Sequence, residues 1–427
     1  MLTLDINNLQ AVYSSKDQHS LDLNSLNLGL PLNQTDAIKR IISRKQGFLD
    51  LPSDLENLNN IFDFTEKVDK NLENLILVGI GGSSLGPKCI YQALGNHSAF
   101  KKVRIVDNID PDEIYEVSSD LDYSKTLFLI VTKSGATPET VATYLYFREN
   151  AKQQNLDIPK HFVFITDPNK GYLREVSNQE GIPSFEIPDN VGGRFSVLSN
   201  VGLVFAALIG VDIKVLLEGA AVLNQQFLNQ DKEGDIAWKM ASIQYLLDQK
   251  GKNINVIMPY SSRLNSLGDW YTQLLSESIG KEFDLSGNVV NVGPTPLPAL
   301  GTTDQHSQLQ LFKEGPHNKL IIFLYIQNFD QKVIIPEIND NNLKYLSNHT
   351  FQELIQAEYQ ATALSLTESN RPNITINLPQ LDAYNLGQLF QLFELSVASL
   401  GEFYDIDTFN QPGVERGKVL TKEILQK

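Results

Sequence analysis

A single cysteine, Cys89, stands in a chain of 427 residues. With no second thiol, intramolecular disulfides and thiolate metal sites are excluded, and a reducing compartment is the expected setting. Basic charge is also scarce. Lys and Arg number 35 against 51 Asp and Glu, a net charge of −16. Such a surface repels nucleic acid and anionic membrane, while leaving room for a local basic pocket around a small anion. No stretch reaches the roughly 20 apolar residues of a membrane span. The N-terminal Met1-Leu2-Thr3-Leu4-Asp5 carries no basic segment ahead of an apolar one. No His/Asp/Glu grouping has metal-ligand spacing, and neither a residue-level repeat nor a low-complexity tract occurs. The expectation is a cytoplasmic protein that binds no metal.

A chain of 427 residues exceeds what one core serves and suggests two or three domains. About the first 65 residues are polar and rich in Asn and Leu, with one amphipathic helix expected at Asp36–Phe48. Short apolar runs then alternate with helical patterns: Leu75–Val78, Val103–Val106, Leu127–Val131 and Phe162–Ile165. That alternation signals βαβ units and a parallel sheet. Helical stretches follow at Ser196–Ile213 and Val215–Leu228. Strand patterns resume at Ile254–Met258, Leu320–Tyr325 and Ile374–Leu378. The reading is an α/β chain with an N-terminal helical extension (1–65), a first lobe (66–225), a second lobe (226–400) and a C-terminal segment (401–427). The lobes join near 215–235. A last helix, Gly387–Leu400, leads into an irregular loop, Phe403–Gly413.

The most informative stretch is Gly79-Ile80-Gly81-Gly82-Ser83-Ser84-Leu85-Gly86-Pro87-Lys88. It lies between a buried-strand pattern and a helix. Glycines let the backbone approach a ligand closely, and free N–H groups at a helix start favour a phosphate. The spacing fits neither the dinucleotide fingerprint nor the P-loop, although Asp107 closes the next apolar run. A tight turn without a ligand is the plainer alternative. A second such loop is Thr132-Lys133-Ser134-Gly135-Ala136-Thr137-Pro138. Thr137 and Pro138 suit the N-cap and first position of a helix through Tyr146. The three hydroxyls beside a lysine suit a phosphomonoester. Both loops should emerge at the same sheet edge.

Sugar-phosphate chemistry needs a base beside a carbonyl and positive charge for the enediolate that results. Three residues qualify by their surroundings. Arg194 follows Gly192 and Gly193, in a turn that Asp189 and Ser196 could fix. Glu277 ends a helical stretch, Trp270–Leu275, where a glutamate is ordinarily solvated and Lys281 would be its i,i+4 partner. His306 follows the Gly301-Thr302-Thr303-Asp304 loop.

Taken in order, these motifs resemble the glucose-6-phosphate isomerase (phosphoglucose isomerase) family over nearly the whole chain, in its compact bacterial form. Asp189–Gly202 and Phe409–Lys418 are similar to the family's signatures, and Gly79–Pro87, Thr132–Thr140, Glu277–Phe283 and Thr303–Gln310 follow its order. The resemblance implies two sugar-isomerase (SIS) lobes, each a mainly parallel sheet sandwiched by helices, and a homodimer with the site at the interface. It implies reversible aldose–ketose isomerisation of glucose 6-phosphate and fructose 6-phosphate without a cofactor. It puts substrate contacts on Gly82, Ser83, Thr132, Lys133, Ser134, Thr137, Gly193 and Gln411. The base falls on Glu277, the enediolate-stabilising cation on Arg194, and ring opening on His306 from the neighbouring subunit with Lys418. Nothing in the residues alone singles out Lys418. The chain departs from the family pattern at Asn410 and Pro412, which flank Gln411, and at Ser84 and Thr132. Two other readings share some of these features: an SIS-type sugar-phosphate sensor, which would not need Glu277 and His306 together, and an isomerase that also takes mannose 6-phosphate.

Overall fold

A computed structural model describes residues 1–13, 29–95, 98–231 and 235–426. Twelve strands lie among the described residues. Strand β1 (Thr3–Asp5) precedes the first sheet, which consists of β2 (Asn74–Val78), β3 (Lys102–Val106), β4 (Thr126–Thr132), β5 (Phe162–Thr166) and β6 (Ser184–Glu186). Its order is β3-β2-β4-β5-β6, parallel throughout. Strands β2, β4 and β5 are buried along their full length. Helices cover both faces of such a sheet, so its strands read as continuous apolar runs rather than alternating ones.

The second half contains β7 (Ile254–Pro259), β8 (Lys281–Phe283), β9 (Val289–Val292), β10 (Thr295–Pro298), β11 (Lys319–Asn328) and β12 (Asn373–Gln380). Its sheet runs β1-β12-β11-β7-β10, with only β1 antiparallel, while β8 and β9 pair separately as a small ribbon. In both sheets, β1 aside, the chain starts at an interior strand, steps to one side, then returns to the other. The winding β3-β2-β4-β5 thus recurs as β10-β7-β11-β12, a repeat of fold with no repeat of residues.

The two lobes share one core. Leu75, Leu77, Leu129 and Val131 from the first sheet and Ile322, Leu324, Ile374 and Ile376 from the second face the same buried cluster. Alternate residues, such as Ile76 and Phe128 in one lobe and Val256 and Phe323 in the other, face two separate outer cores. Between the sheets runs Ala383–Phe403, a helix buried from Asn385 onward. Burial on all sides explains why its apolar residues follow no single stripe.

Several expectations change. The junction expected near 215–235 is, over Ile213–Asn229, one continuous helix packed into the shared core. The first 65 residues are not a purely helical extension, since β1 extends the second sheet. The Asp36–Phe48 helix is observed as Gln34–Ser43, and the late helix runs from Ala383 to Phe403, past the expected boundary at 400. Strand β10 was hidden by Pro296 and Pro298, which an edge strand tolerates because one side needs no donors. Among the described residues no helix is long and apolar enough to cross a membrane.

Helices Ile213–Asn229 and Ala383–Phe403 meet backbone to backbone. A Cβ on Gly387 would lie 1.8 Å from the Leu216 carbonyl oxygen, and one on Gly219 would lie 1.9 Å from that of Tyr384. Gly387→Ala should therefore cost about 2–3 kcal/mol of stability by forcing the helices apart. Urea denaturation measures it. A loss below about 0.5 kcal/mol, within the range of neutral surface substitutions, would contradict so close a crossing.

Candidate active site

The first sheet changes winding direction between β2 and β4. At such a switch point the loops leaving the strand ends diverge and open a crevice for ligands. Both Gly- and hydroxyl-rich loops leave the sheet there. After β4, the hydroxyls converge: Thr132 Oγ1 lies 2.6 Å from Thr137 Oγ1, and Ser134 Oγ lies 3.3 Å from Thr137 Oγ1. Gly135, at φ +65°, makes the turn. A Cβ on Gly171 would meet the Ser134 carbonyl oxygen at 2.3 Å, so the loop rests on bare backbone.

Thr137 occupies the N-cap position of helix Pro138–Gln153, with Pro138 as the first residue, yet its hydroxyl caps nothing. It is spent on Thr132 instead. The first-turn N–H groups and the helix dipole are thereby left for an anion. After β2, Gly81–Ser83 forms a single 3-10 turn with Gly81 at φ +60°.

Lys133 takes a different place from the one expected. Its ammonium donates to the carbonyl oxygens of Asp189 (3.0 Å) and Val191 (2.7 Å) rather than joining the hydroxyls. Burial pushes its pKa down. The lysine ties the hydroxyl loop to the loop that carries Arg194. The Gly-rich loop also touches the Arg194 loop and the second lobe directly. A Cβ on Gly82 would stand 2.1 Å from the Gly193 carbonyl oxygen, and one on Gly81 would stand 3.0 Å from Gln273 Nε2.

Arg194 is the hub. It is 3% exposed, and each of its five N–H groups has an acceptor. Nε donates to Ser278 Oγ at 2.7 Å, and Nη1 to Glu277 Oε2 at 3.3 Å and Gln411 Oε1 at 2.8 Å. Nη2 donates to the carbonyls of Thr408 at 2.5 Å and Asn410 at 3.2 Å. The rings of Phe48, Phe195 and Phe409 pack with centroids 5.0 to 6.0 Å apart and fix the same loop to both ends of the chain. Ser196 Oγ closes the turn by donating to the Gly193 carbonyl at 2.6 Å.

Glu277 sits in the last turn of helix Asn265–Ile279. Gln273, one turn earlier, donates to its Oε1 at 3.0 Å, and Arg194 holds its Oε2. Lys281 is not its ion-pair partner. The Lys281 ammonium donates to the Glu277 main-chain carbonyl at 2.5 Å and to the Asn410 carbonyl at 3.0 Å. Burial, then the neighbouring Arg194 charge, pushes the Lys281 pKa down to about 8. Glu277, Lys281, Asp407 and Gln411 line a cavity of about 610 Å3 that Val414 helps to close.

Two expected residues stand apart. His306 ends a 3-10 turn, Thr303–His306, and its side chain makes no hydrogen bond among the described residues. Lys418 lies on helix Glu415–Leu425, which buries no residue, and pairs with Glu415 at 2.7 Å. Within one chain neither reaches Glu277 by any hydrogen bond or ion pair among the described residues. Gln273, Ser278 and Lys281 escaped the sequence reading as site residues. The i,i+4 spacings of Gln273 and Lys281 to Glu277 are the signals that could have found two of them.

A sequence model of the family described as phosphoglucose isomerase matches residues 55–427. A glucose-6-phosphate isomerase from Carboxydothermus hydrogenoformans is 38% identical, over 99% of this chain and 94% of that protein. Among solved structures, a hypothetical protein of Thermus thermophilus is similar at a TM-score of 0.90 and 35% identity, covering 100% of both chains. A glucose-6-phosphate isomerase of Chlamydia trachomatis is similar at a TM-score of 0.77 and 26% identity, over 87% of this chain and 73% of that one.

The Lys281 shift predicts a pH dependence of stability. A lysine whose folded pKa lies below its unfolded value binds fewer protons when folded, so its penalty is full below about pH 8. The penalty fades as pH rises toward the unfolded lysine value of roughly 10.4. Relative to Lys281→Met, the native chain should gain about 1 kcal/mol between pH 8 and 10, discounted for partial solvent access. Denaturation at several pH values measures this difference, and a constant difference would contradict the assigned burial.

Proposed function

The chain belongs to the phosphoglucose isomerase family, and from that premise we propose that it interconverts glucose 6-phosphate and fructose 6-phosphate by proton transfer at Glu277 through a cis-enediolate. The coarser part stands on the family: the chain is an isomerase of glucose 6-phosphate, built from two SIS-type lobes. The finer part is carried by one observation. Arg194 and Glu277 come from different lobes and meet at 3.3 Å beside the switch-point loops.

In this reading the phosphate seats against Ser83, Thr132, Ser134 and Thr137 and the N-terminus of helix Pro138–Gln153. Gly82 and Gly193 keep the backbone close enough for the sugar to lie between the loops. Binding energy from that remote group holds C1 and C2 at the carboxylate. Glu277 removes the C2 proton of glucose 6-phosphate and returns it to C1, while the O2 hydroxyl proton passes to O1, which converts aldose to ketose, and the steps reverse for fructose 6-phosphate. Arg194 Nη1, whose partners are the side chains of Glu277 and Gln411, turns toward the enediolate oxygens. Nη2, bound to main-chain carbonyls, stays fixed.

His306 and Lys418 open the sugar ring, moving a proton between the ring oxygen and the hydroxyl. The absence of any partner for His306 within the described chain supports its contribution across a homodimer interface to the partner's site. The Lys418 ammonium must leave Glu415 for the same task. Its helix begins just beyond Val414, at the cavity that Glu277 lines. Glycolysis and gluconeogenesis in the cytoplasm are the setting this reading expects.

A coupled assay from fructose 6-phosphate tests the base. Glu277→Gln should lower kcat by about 10³-fold or more while phosphate-dependent inhibitor binding persists; near-native turnover would eliminate Glu277. Refolding a mixture of Glu277→Gln and His306→Ala chains tests the shared site. If His306 serves the partner's site, each mixed dimer has one intact site, and about a quarter of native activity should return. No recovery from two inactive parents that do form mixed dimers would place both residues in one chain's site.

A further inference from the structure

Lys281 is a buried cation to which the reaction above gives no task. Its residue is 8% exposed, and its surroundings are electrostatically poor for an ammonium. Arg194 faces it from the first lobe, and the carboxylates that offset the two cations are Glu277, one turn before it in the chain, and Asp407 from the C-terminal loop. Instead of pairing with either carboxylate, its Nζ bridges two main-chain carbonyls, those of Glu277 at 2.5 Å and Asn410 at 3.0 Å.

Two cations meet at the Asn410 carbonyl. Arg194 Nη2 donates to that same oxygen at 3.2 Å. A carbonyl oxygen has two lone pairs, and here both are filled. Asn410 and Gln411 are exposed, and the side chains that hydrogen-bond them to the two lobes are Arg194 and Lys281. When Arg194 Nη1 leaves Gln411 for a substrate oxygen, one of those ties is given up. The Lys281 bridge persists because it does not involve Nη1.

We propose that Lys281 is a positioning residue for the isomerisation: by bridging the Glu277 and Asn410 carbonyls it keeps the Thr408–Gln411 segment seated on the Nη2 edge of Arg194, so that only the Nη1 edge is exchanged toward substrate. The proposal rests on Arg194 and Glu277 forming the reacting pair.

The test uses the full chain, with kcat and KM for fructose 6-phosphate measured beside amide hydrogen exchange of residues 408–414. Lys281→Gln should lose about 10- to 100-fold in kcat, the scale of a small misplacement of reacting groups. Its KM should move less than about 3-fold, because the phosphate loops are untouched, and exchange at 408–414 should rise. Lys281→Arg, which keeps charge and donors, should recover most of the kcat and the protection. Unchanged kcat in Lys281→Gln, or equal losses in the two variants, would overturn the positioning role while native turnover remained. Loss of the underlying reading looks different, since the native chain itself would then fail to isomerise fructose 6-phosphate. Should Lys281→Gln not fold, Lys281→Arg alone decides: kcat and protection of 408–414 close to native support the proposal, and a loss of kcat with native protection overturns it.

Discussion

The guanidinium of Arg194 is the constraint around which the site is assembled. Its five donors reach a serine and a carboxylate on helix Asn265–Ile279, and an amide and two carbonyls in the C-terminal loop. Segments 83 to 84 and 214 to 217 residues away in sequence are thereby set against one planar group. A buried guanidinium with unmet donors would be strongly destabilising, so the loop, the helix end and the C-terminal segment have little freedom to move independently. The fork geometry of arginine matters here, since a lysine could not address five acceptors in one plane.

What brings the two strand-end loops to that hub is the absence of side chains at a few positions. Gly82 lets the first loop touch the Gly193 carbonyl, and Gly81 admits Gln273, which in turn holds Glu277. Gly171 performs the same service under Ser134. The shared hydrophobic core then makes these contacts durable, because both sheets bury their inner faces against the same helices. The lobes are better described as two faces of one core than as separate domains.

The strands and loops were legible because their signals are local. Continuous apolar runs such as Leu127–Val131 mark sandwiched parallel strands, and a Gly-rich turn before a helix marks a close backbone approach. Arg194 and Glu277 were legible as candidates from their flanking residues and from resemblance, but their contact is a product of folding. Side-chain direction was not legible at all. Lys133 stands in a hydroxyl-rich loop, so proximity in sequence assigned it to the phosphate, yet its long stem carries the ammonium across to Asp189 and Val191. Lys281 stands four residues after Glu277, the spacing of a helical ion pair. The helix ends at Ile279, and the side chain finds carbonyls instead. His306 and Lys418 remain apart within one chain because neither is drawn into the shared core that gathers Arg194 and Glu277.

The way these three cations are satisfied has an electrostatic consequence. Lys133 and Lys281 give their hydrogen bonds to main-chain carbonyls, and Arg194 gives four of its five to neutral oxygens, with Glu277 the one carboxylate. Carbonyl dipoles compensate lost hydration without cancelling charge. Three positive groups are therefore hydrogen-bonded to a single carboxylate between them, in a chain whose net charge is −16. Had each cation been hydrogen-bonded to an Asp or Glu, its donors would have been committed to a carboxylate before any anion arrived. Within a half-buried pocket the interaction of unlike charges at roughly 4 Å is worth about 4 kcal/mol, against about 1 kcal/mol in water. In the proposed reaction these carbonyl-solvated cations would keep donors and charge available to a phosphate and a developing enediolate oxygen, inside a chain whose overall charge is acidic. The depressed lysine pKa values are the cost of that arrangement, because the charge that attracts an anion is the same charge that the fold is reluctant to bury.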